Sequence, residues 1–179
     1  SIFNHFCCGG KLDAVTIAKI GQYAENVYFG KPCGLMDQMG SSVGGAVAID
    51  FNDPADPVVE RVDYDFTRSG HVLCIVDTGS SHGDLTDDYA AVTREMGAVS
   101  AYFGKKFLRD VPEQHFRAAI PALRRECGDR AVLRSLHFYS DDRRAVQEAE
   151  ALKAGEFDRF LTLVNASGKS SSLLLQNTW

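Results

Sequence analysis

Apolar residues recur along the chain with two periods. In residues 12–28, Ile20, Tyr23, Ala24 and Val27 fall at i, i+3, i+4 and i+7, which predicts a helix with one apolar face. Gly30, Pro32 and Gly34 break it, and a second, shorter helix is expected from about Leu35. Residues 46–51, AVAIDF, read as a strand, and residues 52–57, NDPADP, as a turn-rich surface connection. Residues 71–77, HVLCIVD, carry the most convincing strand pattern, a continuous apolar run that implies burial on both faces with Cys74 in the core. A small-residue loop, TGSSHGD, follows. Leu85, Tyr89, Val92, Met96, Val99 and Phe103 then step by four, three, four, three and four, the seam of a long helix. Pro112 suits the first turn of another helix. Residues 129–153 and 156–166 predict two more, parted by Gly155. The second half is thus helix-rich around at least one strand, and the fold class is α+β rather than a regular βαβ alternation. The proline-rich, charged stretch 52–68 is the best domain boundary, because it separates two apolar strand patterns.

Composition narrows the function classes. With 179 residues, 45% hydrophobic and 24% charged, the chain has the balance of a soluble globular protein. Its longest apolar runs, such as Val72 to Val76, are far too short to cross a membrane. The opening SIFNHFCC lacks the basic region and long apolar run of a signal peptide. The formal net charge is −5, and basic pairs such as Arg124-Arg125 and Arg143-Arg144 lie next to acids. Nothing forms the uncompensated basic face of a nucleic-acid binder. Cys7, Cys8, Cys33, Cys74 and Cys127 are odd in number and contain no CxxC pair, which favours a reducing cytoplasm over a disulfide scaffold. The five histidines are scattered, which argues against a structural zinc site.

Two short motifs mislead. Gly168-Lys169-Ser170 looks like the end of a phosphate-binding loop, but the pattern GxxxxGK[ST] needs glycine at position 163, which is Leu163. SGKSSS reads better as a polar connection or a helix end. Gly79-Ser80-Ser81-His82-Gly83 matches GxSxG between a predicted strand and a helix, the context of a nucleophile elbow. A serine hydrolase would use Ser81 with His115 or His137 as base. The motif is short and built of common loop residues, so the expectation is an ordinary exposed connection with no histidine within reach of Ser81.

The informative segment runs from Ala24 to Asp50, AENVYFGKPCGLMDQMGSSVGGAVAID. Read alone, Asp37 is a turn or helix-start residue and Glu25 a solvated carboxylate. Together, Glu25-Asn26, Phe29-Gly30, Pro32-Cys33-Gly34-Leu35-Met36-Asp37-Gln38, the glycine pair and the AVAID strand closely resemble the galactokinases, members of the GHMP small-molecule kinase family. Farther along, Leu108-Arg109-Asp110-Val111 looks like that family's LRDV segment. Asp88-Tyr89, with Arg94 five residues on, resembles its tyrosine-bearing helix, and Glu148 to Gly155 its next helix. The resemblance covers essentially the whole chain.

It implies ATP-dependent phosphorylation of galactose at its anomeric hydroxyl, with ATP and Mg2+ as cofactors and a cytoplasmic enzyme. By resemblance Asp37 is the catalytic carboxylate that accepts the hydroxyl proton, and Gly34 and Tyr89 line the sugar pocket with it. Glu25 is the magnesium ligand. Tyr89 lies on the apolar seam, so it also reads as a core residue. The resemblance implies the two-domain GHMP architecture, with residues 1–65 from the end of the first domain and residues 66–179 from the start of the second. The family's glycine- and serine-rich phosphate loop, its N-terminal sugar-binding motif and its C-terminal glycine-rich motif are absent from these residues. The stretch is therefore expected to be a central fragment, inactive alone, with uncovered apolar surface or self-association. Other readings are a kinase for another sugar such as N-acetylgalactosamine, and a galactokinase-like sensor that binds without turnover.

Overall fold

The structure, a computed structural model, describes residues 2–31, 33–77, 79 and 86–177. The chain divides into two compact units, Ser1–Tyr64 and Asp65–Trp179.

The first unit opens with α1 (Ile2–Cys8). The Asn4 side chain closes the turn after it, accepting from the Leu12 N–H at 3.1 Å and donating to the Leu12 carbonyl at 3.0 Å. Asp13 then caps α2 (Ala14–Tyr23), its carboxylate accepting from the Thr16 N–H and the Thr16 hydroxyl, both at 2.8 Å. The helix runs directly into a π-helical turn, Ala24–Tyr28. After the glycine-rich break comes α3 (Met36–Val43). Gly44 and Gly45, at φ of 74° and 73°, take left-handed conformations that end α3 and start β1. Strand β1 (Ala46–Asp50) pairs antiparallel with β2 (Val58–Val62), from Ala46 opposite Val62 to Asp50 opposite Val58. The alternation Val47, Ile49, Phe51 is legible in the sequence, whereas VVERV is too mixed to stand out.

The core of this unit is small. Ala18, Leu35 and Met39 are buried, with Val15, Val43, Ile49, Phe51 and Val59 packed around them. Helices α2 and α3 approach closely at Gly21, where a Cβ would lie 3.5 Å from the Gln38 Cγ. The apolar face that periodicity assigns to α2 exists, but Ile20, Tyr23 and Val27 are exposed. The helix buries its small-residue face and presents its large-residue face.

The second unit is helical: α4 (Thr86–Tyr102), a 3₁₀ turn Leu108–Asp110, α5 (Glu113–Glu126), α6 (Asp129–Lys153), α7 (Phe157–Ser170) and a π-helical turn Ser171–Leu175. Gly128 and Gly155, both at positive φ, bound α6. The core joins Val99, Leu108, Val111, Phe116, Leu123, Ala131, Val132 and Tyr139, with Met96 and Phe103 of the α4 seam packed against it. Polar groups in this core are satisfied. The Tyr139 hydroxyl reaches the carbonyls of Val111 at 2.8 Å and Leu108 at 3.2 Å. Arg134, 3% exposed, donates to Glu95 at 3.0 Å and to the Leu175 carbonyl at 3.0 Å, while Arg130 grips the same carboxylate. Gly168-Lys169-Ser170 lie at the end of α7, so the apparent phosphate loop is helical.

One expected element is absent. Residues 71–77 take no regular structure, and Leu73 and Ile75 are 95% and 94% exposed. Cys74 is likewise exposed rather than in the core. An apolar run states a need for burial; a strand also needs a neighbour to complete its hydrogen-bond ladder. Among the described residues no strand pairs with this segment, the only ladder being β1 with β2. At the level of element content the α+β class holds, with helices dominant and one two-stranded sheet. Among the described residues no helix is long and apolar enough to cross a membrane.

Candidate active site

Glu25 and Asp37 lie on either side of the break between α2 and α3, and Gly34 lies within it. The π turn that ends α2 carries Glu25 and Asn26, and widening the helix there changes which way its last residues face. The backbone then doubles back: the Phe29 N–H reaches the Ala24 carbonyl at 3.3 Å and the Lys31 N–H the Glu25 carbonyl at 3.1 Å.

The return is fixed on Cys33. The Asn26 side chain accepts from the Cys33 N–H at 2.8 Å and donates to the Cys33 carbonyl at 3.4 Å. Gln22, one turn earlier on α2, donates to the same carbonyl at 3.3 Å. The Gln38 amide donates to the Cys33 sulfur at 3.4 Å. Burial, followed by a hydrogen bond to Glu25 and the charge of that carboxylate, pushes the Cys33 thiol up, opposed by Gln38 and Lys31. The thiol thus has the Glu25 carboxylate and the Gln38 amide as neighbours, and both burial and Glu25 favour its protonated form. The Gln38 Oε1 is buried with no partner among the described atoms.

Asp37 stands in the first turn of α3, exposed, next in the chain to Gln38. The first turn of a helix suits an acid, because the free N–H groups there favour negative charge. Leu35 and Met39, buried on the other side of this helix, anchor it in the core. Gly34 is not at positive φ, and a Cβ built on it meets no described atom within 4 Å. Neither backbone conformation nor internal packing demands glycine there. A glycine there leaves the backbone open to close approach.

Tyr89 belongs to the second unit, near the start of α4, and is 55% exposed. It is the one member of the predicted seam, among the described residues, on the open surface, so the core reading of it is set aside. Ser80, Ser81, His82 and Gly83 of the predicted elbow lie outside the described residues. Of the two histidines considered as its base, His115 is exposed. His137 is buried, 2.9 Å from the Ser170 hydroxyl and 3.5 Å from Asp141, and burial lowers its pKa against the pull of Asp141. Among the described residues no group of three or more His, Cys, Asp or Glu is placed to hold a metal.

Sequence reasoning named Glu25, Gly34 and Asp37 but gave no role to Gln22, Asn26 or Gln38, which tie the break together. The available signal was a run of amide side chains at helical spacing, Gln22 and Asn26, before a cysteine followed by glycine.

No protein-family model matches the chain. Individual proteins do. A galactokinase of Glaesserella parasuis serovar 5 (strain SH0165) is 32% identical over 155 residues, 86% of this chain and 39% of that protein. A galactokinase of Actinobacillus pleuropneumoniae serotype 5b (strain L20) is 30% identical over 159 residues, 89% of this chain and 40% of that protein. A galactokinase of Streptomyces coelicolor (strain ATCC BAA-471 / A3(2) / M145) is 32% identical over 142 residues, covering 78% and 36%. The chain is thus a relative of sugar kinases. Among these its similarity is to the galactokinases, along most of its own length, and it spans about two fifths of the length of the curated relatives it matches.

Proposed function

We propose that the protein carrying this chain phosphorylates galactose at its anomeric hydroxyl, with ATP as donor and Asp37 as the acceptor of the hydroxyl proton. The observation that carries the reading is the Cys33 junction. It brings Glu25 and the Gln38 neighbour of Asp37 beside Gly34, whose surroundings leave room for a ligand. Phosphoryl transfer asks chiefly for positioning and charge neutralisation, and a carboxylate near the attacking oxygen receives its proton. The galactokinase relatives support the substrate.

Magnesium fits the residues present. It is a hard cation that takes one or two carboxylates and fills its remaining positions with water and phosphate oxygens. Glu25 supplies one such carboxylate from the half-buried start of the π turn, and magnesium prefers that oxygen to the neighbouring Cys33 sulfur. When bound, the ion would neutralise charge on the transferring phosphate. Gly34 and Tyr89 are assigned to the sugar pocket. We assign residues 1–65 to the end of the first GHMP kinase domain and residues 66–179 to the start of the second. The location is cytoplasmic, a reading supported by five unpaired cysteines.

The 179 residues alone contain no glycine-rich triphosphate cradle, so this stretch by itself forms no sugar phosphate. Its exposed Ile20, Tyr23 and Val27 support self-association of the isolated stretch. The test of the reading is an assay of the full-length protein with ATP, magnesium and either galactose or N-acetylgalactosamine. Galactose 1-phosphate formed in preference to the amide-bearing product supports it. Sugar binding without ATP consumption contradicts it.

A further inference from the structure

We propose that Asn26 is a positioning residue for the reaction: its side-chain amide clasps the Cys33 backbone, and through Gln38 this clasp sets where Asp37 stands. The inference rests on the reading of Asp37 as proton acceptor.

The geometry has three links. First, Asn26 satisfies both backbone groups of a single residue, accepting from the Cys33 N–H at 2.8 Å and donating to its carbonyl at 3.4 Å. Both groups sit in a glycine-rich break with no helix or strand to pair them, so the amide takes the place of a ladder. Gln22 adds a second donor to the carbonyl at 3.3 Å. Second, the held residue presents its sulfur to the Gln38 amide at 3.4 Å. Third, Gln38 follows Asp37 in the first turn of α3. Only Gly34 and Leu35 separate Cys33 from that helix, and Leu35 is buried, so a shift of Cys33 passes to α3 with little chain to absorb it.

Asn26 also occupies an unusual backbone. It lies within the π turn, a conformation that widens the helix by one residue and is concentrated at functional sites. Asparagine is a poor helix former because its amide competes for backbone groups. Here that competition is the purpose: the amide leaves its own helix to bind the backbone seven residues on. Asn26 itself is exposed and outside the hydrophobic core, so no packing role accounts for it.

The test compares Asn26→Asp, Asn26→Gln and Asn26→Ala in the full-length protein, each measured for kcat, for KM toward galactose and for thermal midpoint. Asp keeps the acceptor of the 2.8 Å bond but loses the donor to the Cys33 carbonyl, so its kcat falls less than that of the other two variants. Gln keeps the amide chemistry but moves it by one methylene, and Ala removes it. Both lower kcat by about tenfold or more, while KM for galactose changes less than about twofold. If Asn26→Ala yields no folded protein, Asn26→Gln decides alone. A folded Asn26→Gln protein with unchanged kcat overturns the inference, as does a loss confined to the thermal midpoint. Asp37→Asn is run alongside. If it is inactive while Asn26→Gln is normal, only this inference fails. If Asp37→Asn turns over normally, the reading of Asp37 fails first.

Discussion

The two units treat their apolar residues differently. In the helical unit, Val99, Phe116 and Leu123 are fully buried, and Met96, Val99 and Phe103 of the α4 seam join the core that α5 and α6 share. In the first unit, helix α2 carries an equally clear apolar face, yet Ile20, Tyr23 and Val27 stand open while Ala18 is buried. Residues 72–76, at the start of the second unit, repeat the lesson in extended form. Periodicity reports what a segment needs, and the fold reports what the rest of the chain can supply. Where α4, α5 and α6 supply partners to each other, need and structure coincide. Where no partner lies among the described residues, the apolar side chains remain at the surface.

Substitutions along this divide should differ by several kcal/mol. Phe116→Ala, at a fully buried aromatic beside Tyr139, is expected to cost about 3–5 kcal/mol of unfolding free energy in a denaturant titration. A cost under about 1 kcal/mol would show that the helical core is loosely packed after all.

Next comes Glu95→Gln. It strips the carboxylate from Arg134, which is nearly buried, and from Arg130, at an expected cost of about 3 kcal/mol. The ion pairs also set an acid limit. Burial raises the Glu95 pKa, but the hydrogen bond from Arg130 and the charges of Arg134 and Arg130 outweigh it, and the net shift is downward. Its contribution is therefore present above its ordinary value of 4.5 and lost as pH falls through the lowered one. A Glu95→Gln chain should lose less stability than the parent between neutral pH and that acid range, as followed by circular dichroism.

Smaller again is the alkaline limit at Tyr139. Burial, and then the charge of Glu113, push its phenol from 10.0 up to about 12. The unfolded chain ionises first, so stability held below pH 10.0 is lost as pH rises toward about 12. Tyr139→Phe gives up a hydroxyl donor shared between two carbonyls, worth about 1–2 kcal/mol, and removes this alkaline slope. The same slope in both proteins would place the titration elsewhere. The smallest effect is expected at Leu73→Ser, within about 0.5 kcal/mol of the parent, because its side chain is 95% exposed. A large loss there would mean that the segment is buried by its own chain.

The same contrast sorts what could be read in advance. Helix α6 was legible nearly to the residue because glycines at positive φ bound it and its pattern is long. Strand β1 was legible from its apolar alternation, while β2 was hidden by Glu60 and Arg61. The HVLCIVD run misled because pattern does not reveal whether a neighbouring strand exists. At the site, resemblance singled out Glu25, Gly34 and Asp37, and the structure supplied what spacing could not. An amide inside a π turn, Asn26, and a sulfur, Cys33, knit the two sides of the break. The spacing of Gln22 and Asn26 marks a shared helix face but does not show which backbone their amides bind.

The most direct test of the central claim is turnover of the full-length protein carrying Asp37→Asn, measured together with its affinity for ATP. The substitution keeps the size of the side chain and removes its capacity to take a proton. The account predicts that galactose phosphorylation falls by at least about a hundredfold while ATP binding is unchanged. Near-normal turnover in that variant would contradict it.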